Sequence, residues 1–336
     1  MRRESRGTSS RGAPSTNALH GHFLRRLTVL LLLVDYAHAL ESTWSLAKKR
    51  REMSNRAATT PAVSTLKSTT ANSLSRTNHA ANLREHGFTI VHQPVAYAAL
   101  ITSAAAEIEA IMVRTHAELR AAGCDPTEQS YEFNEICHRS EKRWMLQLSS
   151  LGTPACSTLL EQAQRAAAPI LAEALPTGTR LETMAHHDAI VTRCGAKTQP
   201  WHMDATREHC AAAQREPAHR LFNLFVPLID IAEGGLGTQF RLGSHLLDHA
   251  AHGQEASGSM LDGAEAAQIA APACEAGGII IFDHRLILRG VANGERERAI
   301  VHGVVSAGGA VFGPSEFPSE RIRDASKEEM HRLPYW

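Results

Sequence analysis

Apolar positions along this chain begin to recur in a regular way only near residue 82. A short segment leads to Gly87, and Phe88-Thr89-Ile90-Val91 then reads as a strand that ends by Pro94. Tyr97, Ile101, Ile108, Met112 and Leu119 follow at helical spacing and predict an amphipathic helix that closes near Gly123. A second helix is predicted from Ala155 to about Leu175, with Leu159, Leu160, Ala163, Ala167, Ile170 and Leu171 on its buried side and Thr153-Pro154 at its start. From Arg180 the texture changes to short strands divided by turns. Ala189–Thr192, Leu221–Leu228, Ile279–Phe282 and Ala299–Val305 are the clearest, punctuated by Glu233-Gly234-Gly235 and Asn293-Gly294. Helices first and short antiparallel strands afterwards predict an α+β domain whose sheet part is a double-sheet jelly roll.

The first 80 residues are different material. Arg2, Arg3, Arg6, Arg11, Arg25 and Arg26 precede the apolar run Leu27–Val34, which is too short to span a bilayer as a helix. The run ends near Ala37-His38-Ala39, a pattern that signal peptidase accepts. A Ser-, Thr- and Ala-rich stretch with few acids follows, containing Lys48, Lys49, Arg50 and Arg51. The composition reads as a signal or transit peptide. It is compatible with a secretory signal, with the two-part leader of proteins sent to complex plastids, or with a mitochondrial address. The chain therefore divides into a leader and Ser/Thr/Arg-rich segment at 1–81, a barrel domain at 82–312 and a tail at 313–336.

Charge sharpens the expected partner. The 35 basic residues are balanced by 35 acidic ones, so no bulk field draws the chain to nucleic acid or to anionic lipid. A small-molecule substrate is the expected partner, with no transmembrane span. The six cysteines form no CxxC pair, which excludes a zinc knuckle or thioredoxin-type motif; they read as buried thiols, with a disulfide open only in an oxidising compartment.

The informative segment is Gln199-Pro200-Trp201-His202-Met203-Asp204. In an extended chain, residues two apart point the same way, so His202 and Asp204 project together. One imidazole and one carboxylate are two members of the 2-His-1-carboxylate triad that holds non-haem Fe(II). Alone the pair is a weak signal; its company is not. Downstream lie Gly237-Thr238-Gln239-Phe240-Arg241-Leu242-Gly243-Ser244-His245, then Phe282-Asp283-His284-Arg285, then Arg289-Gly290-Val291-Ala292-Asn293 and Arg298. In order and spacing these segments resemble the phytanoyl-CoA dioxygenase family, with its QxWHxD, GxTxFxPGSH and FDxRxxHRGxxN segments. Glu85-His86-Gly87-Phe88 resembles the family's start.

The resemblance implies a double-stranded β-helix (cupin-like) barrel with flanking N-terminal helices. It also implies an oxidoreductase that uses Fe(II) and 2-oxoglutarate to hydroxylate a small organic substrate. His202 and Asp204 match the first two iron ligands. Arg298 matches the arginine that pairs with the distal carboxylate of 2-oxoglutarate; it is preferred over Arg296 because it directly precedes an apolar strand. Thr238 and Gln239 are candidates for co-substrate contact or for a turn role, and Trp201 for packing beside the site. His186-His187-Asp188 looks metal-like, but neighbours in a strand face opposite ways.

The pattern breaks at the third ligand. Counting from Phe282, the family's second histidine falls on Leu288, which has no lone pair. Three readings stay open: a lost or altered metal site, which leaves a non-catalytic barrel that binds a ligand or partner; a surrogate histidine, with His302 and His284 foremost and His245 and His249 behind them; or a two-ligand iron site completed by 2-oxoglutarate and water. On a continuous strand His284 would stand about 13 Å from position 288. The loops and the N-terminal helical part, including Tyr131–Arg143, are the expected source of substrate choice.

Overall fold

The computed structural model describes residues 78–92, 98–127, 131–235, 237–247, 268–311 and 321–322. Residues 1–77 of the leader, His249 and all of the expected C-terminal tail except 321–322 lie outside the described residues. Helix α1 (His79–His86) is capped by Asn78, whose side chain accepts from the Ala81 N–H. It stops at Gly87, whose φ of 84° is a left-handed conformation that glycine adopts without a Cβ clash. Strand β1 (Phe88–Val91) follows, then helix α2 (Ala98–Ala121). A hairpin of β2 (Ile136–Ser140) and β3 (Arg143–Gln147) precedes helix α3 (Pro154–Ala174). The remainder is β4 (Leu181–Thr192), helix α4 (Arg207–Arg215), β5 (Arg220–Pro227), β6 (Thr238–Arg241), β7 (Ile269–Ala270), β8 (Ile279–Asp283), β9 (Leu288–Gly290) and β10 (Arg298–Ala307). The expected helices and strands are present. Tyr131–Arg143 is the exception: it is part of a hairpin, held by Trp144 Nε1 donating to the Tyr131 hydroxyl at 2.9 Å.

Seven strands form one sheet in the order β1-β8-β5-β10-β4-β3-β2, and β7-β6-β9 form a second. Every assigned strand pair is antiparallel. Strand β8 shows how the layers arise. All of Ile279–Asp283 is buried, so its apolar run is continuous rather than alternating, as expected of a strand covered on both faces. Ile279 and Ile281 pack with Ile108, Met112, Leu119, Leu160 and Leu171 of the helices. Ile280 and Phe282 pack the other way, with Phe225, Phe240, Leu288 and Ile300, into the space between the two sheets. The helices cover the outer face of the large sheet, and the inner face closes on the small sheet as a double-stranded β-helix. At Gly303 a Cβ would lie 2.5 Å from a methyl of Leu160, so α3 can approach β10 only over a glycine. Among the described residues, no helix is long and apolar enough to cross a membrane.

Candidate active site

The segment carrying His202 is fastened to the small sheet by its own sequence. Gln199 N donates to Gly290 O at 2.8 Å, and its side-chain Oε1 accepts from Gly290 N at 2.9 Å. A Cβ on Gly290 would stand 2.6 Å from that amide oxygen, so any other residue there would displace the Gln199 side chain. Three residues on, and two back along β9, His202 and Leu288 exchange both backbone hydrogen bonds, at 3.0 and 2.8 Å. In such a hydrogen-bonded antiparallel pair the side chains lie on the same face, with Cα atoms about 5.5 Å apart. The position expected of a third donor is therefore the one directly opposite His202, and it holds a leucine. Leu288 is 4% exposed and packs among Phe240, Phe282, Phe225 and Ile300.

Neighbouring Trp201 faces away from this interior. Its ring is held between two guanidinium groups, Arg241 at 4.7 Å and Arg289 at 4.2 Å. Gln239 lies on the same outer side, where its Oε1 accepts from Arg289 Nε at 2.8 Å, while buried Thr238 pairs in register with Gly290. The two adjacent candidates thus part company across the pleat.

His202 Nδ1 lies 3.0 Å from the carbonyl oxygen of Pro200. A carbonyl can only accept, so Nδ1 carries the hydrogen and the Nε2 lone pair is left for another partner. Nε2 faces Asp204 Oδ1 at 3.9 Å, too far for a hydrogen bond between them. The second carboxylate oxygen, Oδ2, accepts from Asn223 Nδ2 at 2.6 Å. Asn223 must therefore present its amide oxygen to His302 Nε2, 2.8 Å away. His302 Nδ1 in turn lies 3.7 Å from Asp188 Oδ2. Asp188, His302 and Asn223 are all buried and sit on adjacent strands β4, β10 and β5.

Neither candidate substitute completes a donor set with His202 and Asp204. His302 is separated from Asp204 by the Asn223 amide. His284 does not lie on a strand shared with Leu288: β8 ends at Asp283, and a turn brings the His284 carbonyl to the backbone N–H of Asp204 and Ala205 at 3.2 and 3.0 Å. The straight-strand separation therefore does not apply. Burial, with Asp204 opposing it, holds the His284 imidazole down at about 4. His245 is buried elsewhere, its Nε2 3.2 Å from the Arg84 carbonyl oxygen. His187 Nε2 meets the Ser157 hydroxyl at 3.2 Å. Among the described residues no group of three or more His, Cys, Asp or Glu side chains is arranged to hold a metal ion.

Arg298 is buried and Arg296 exposed. The Arg298 guanidinium donates to Gly237 O at 3.1 Å, and among the described residues its Nε has no partner. Burial and the charge of Arg143 push it down to about 10. Sequence reasoning missed Arg143 and Thr192. Arg143, Thr192 and Arg298 stand in register across β3, β4 and β10, so their side chains share the inner face. Arg143 reaches Lys197 O and Val291 O, and the buried Thr192 hydroxyl has no partner among the described residues. Two buried guanidiniums and a hydroxyl form a cradle that suits a carboxylate. All six cysteines are free, and Cys194 alone is exposed.

The residues fit the two groups of an iron and 2-oxoglutarate site unequally. The cradle fits a carboxylate: it offers a buried cation with an unpartnered N–H. The donor set does not fit a three-donor iron centre, because Leu288 occupies its third corner.

Several solved protein structures are similar to this chain. AviO1 from Streptomyces viridochromogenes Tue57 is 18% identical with a TM-score of 0.50, over 72% of this chain and 99% of that one. The non-haem α-ketoglutarate-dependent epimerase SnoN from nogalamycin biosynthesis is 17% identical with a TM-score of 0.48, over 71% and 88%. EctD from S. alaskensis, solved with bound Fe, is 17% identical with a TM-score of 0.46, over 77% and 83%. No curated protein sequence matches. The profile of the family described as phytanoyl-CoA dioxygenase matches residues 83–312, more than half of the chain. This chain belongs to the phytanoyl-CoA dioxygenase family.

Proposed function

We propose that this chain is a dioxygenase-like protein that retains the carboxylate-binding half of its site and lacks a complete iron-binding half. Leu288, directly opposite His202 and sealed in an apolar cluster, is the observation that carries this reading. His202 and Asp204 are the two remaining donors. Arg298, with Arg143 and Thr192 beside it, anchors the distal carboxylate of 2-oxoglutarate or of a dicarboxylate like it. Loss of a neutral nitrogen donor weakens iron binding, so the chain binds ligand without oxidising a small organic substrate at an appreciable rate.

The test is succinate formation from 2-oxoglutarate with added Fe(II) under air. The expected result is no succinate above the protein-free control for the natural chain and a measurable rate for Leu288→His. Sustained Fe(II)-dependent turnover by the natural chain would overturn the reading.

A further inference from the structure

With the third donor absent, the polarity of the atoms that face one another across the site specifies a different occupant. Nε2 of His202 presents a lone pair, since Nδ1 donates to Pro200 O. Asp204 Oδ1 is an acceptor, and Asn223 holds its carboxylate in place through Oδ2 at 2.6 Å. The Asn223 amide is locked in turn by His302, so the carboxylate cannot turn over without breaking a buried hydrogen bond. With no metal held between them, two acceptors 3.9 Å apart call for a hydrogen-bond donor on whatever lies between them. A keto oxygen has none. A primary ammonium has three N–H donors and the charge that Asp204 lacks a partner for in that direction.

The carboxylate cradle borders the same strand as the acceptor pair. Leu288, opposite His202, and Gly290 share the inner face of β9. A Cβ on Gly290 would be 3.6 Å from Arg143 Nη2, and Arg298 bonds Gly237 O, next to the Thr238 that pairs with Gly290. Leu288 and Gly290 are one two-residue step apart, about 6.6 Å along the strand, so the acceptor pair and the cation pair border one continuous stretch of the inner face. A short chain with an ammonium at one end and a carboxylate at the other would meet both. The charges agree as well: Arg143 and Arg298 against Asp204 leave one net positive charge, which a 2-amino dicarboxylate, carrying two carboxylates and one ammonium, neutralises.

We infer that the barrel binds a 2-amino dicarboxylate without metal, its ammonium between His202 and Asp204 and its distal carboxylate on Arg298. The inference rests on the carboxylate cradle of the proposed function. Calorimetric titration of the full chain in EDTA, with L-glutamate, glutarate and 2-oxoglutarate as probes, tests it. Glutamate is expected to bind about tenfold or more tighter than the other two, the effect of charge-assisted hydrogen bonds that only it can make. Asp204→Asn should bring glutamate to the glutarate level, and His202→Phe should reduce the same advantage, which covers the case that one variant does not fold. Equal affinities, or a preference for 2-oxoglutarate, would overturn the inference and leave the cradle standing. No binding of any of the three would overturn the cradle itself, and the inference with it.

Discussion

At the scale of single residues, one side chain decides how the rest of the site is read. His202, Asp204 and Arg298 were legible in the sequence because each belongs to a short local pattern with fixed spacing. Leu288 was legible as a departure for the same reason. Its surroundings were not, because they depend on pairing: the exchange of backbone hydrogen bonds with His202 sets the leucine directly opposite that imidazole rather than beside it. Asn223, Arg143 and Thr192 left no local signal. Each acts through register across strands that are far apart in the chain, as when Thr192 pairs with both Arg143 and Arg298. His284 shows the opposite failure. A continuous strand would set it about 13 Å from position 288, whereas the chain turns after Asp283 and the His284 carbonyl meets the Asp204 N–H.

At the scale of elements, the site depends on how closely the helical layer sits on the large sheet. Interior residues of β10 alternate with residues that face α3, and Gly303 is one of the latter, under Leu160. Gly303→Ala is expected to destabilise the fold by about 1–3 kcal/mol, since the new methyl overpacks a filled contact. Paired with Leu160→Ala it should cost less than the sum of the two single changes, because the residues share one space. Additive losses in denaturant unfolding would show that this contact is not what Gly303 serves. The long helices were legible from periodicity, and the β8 and β10 strands from apolar runs bounded by turn residues. The β2–β3 hairpin was not, since Ile136–Ser140 and Arg143–Gln147 mix charged and apolar residues without clean alternation. Their pairing is supplied by the sheet edge at β4.

At the scale of the whole molecule, burial of imidazoles makes stability depend on pH. Burial holds His116, His209 and His284 at about 4, below their ordinary 6.5. The unfolded chain therefore takes up protons that the folded chain refuses as pH falls from about 6.5 towards 4, and stability falls with it. Asp283, held low by Arg285 against its burial, acts in the same direction at lower pH. The urea midpoint should drop between pH 7 and pH 5 and recover on return; an unchanged midpoint would contradict the buried, neutral state of these rings. The central question for this molecule is whether Leu288 has opened the iron site. Anaerobic titration of the natural chain and of Leu288→His with Co(II), followed by its visible absorption, measures that most directly. No saturable signal is expected for the natural chain and a stoichiometric one for the variant. Tight, stoichiometric Co(II) binding by the natural chain, abolished by His202→Ala, would contradict that expectation.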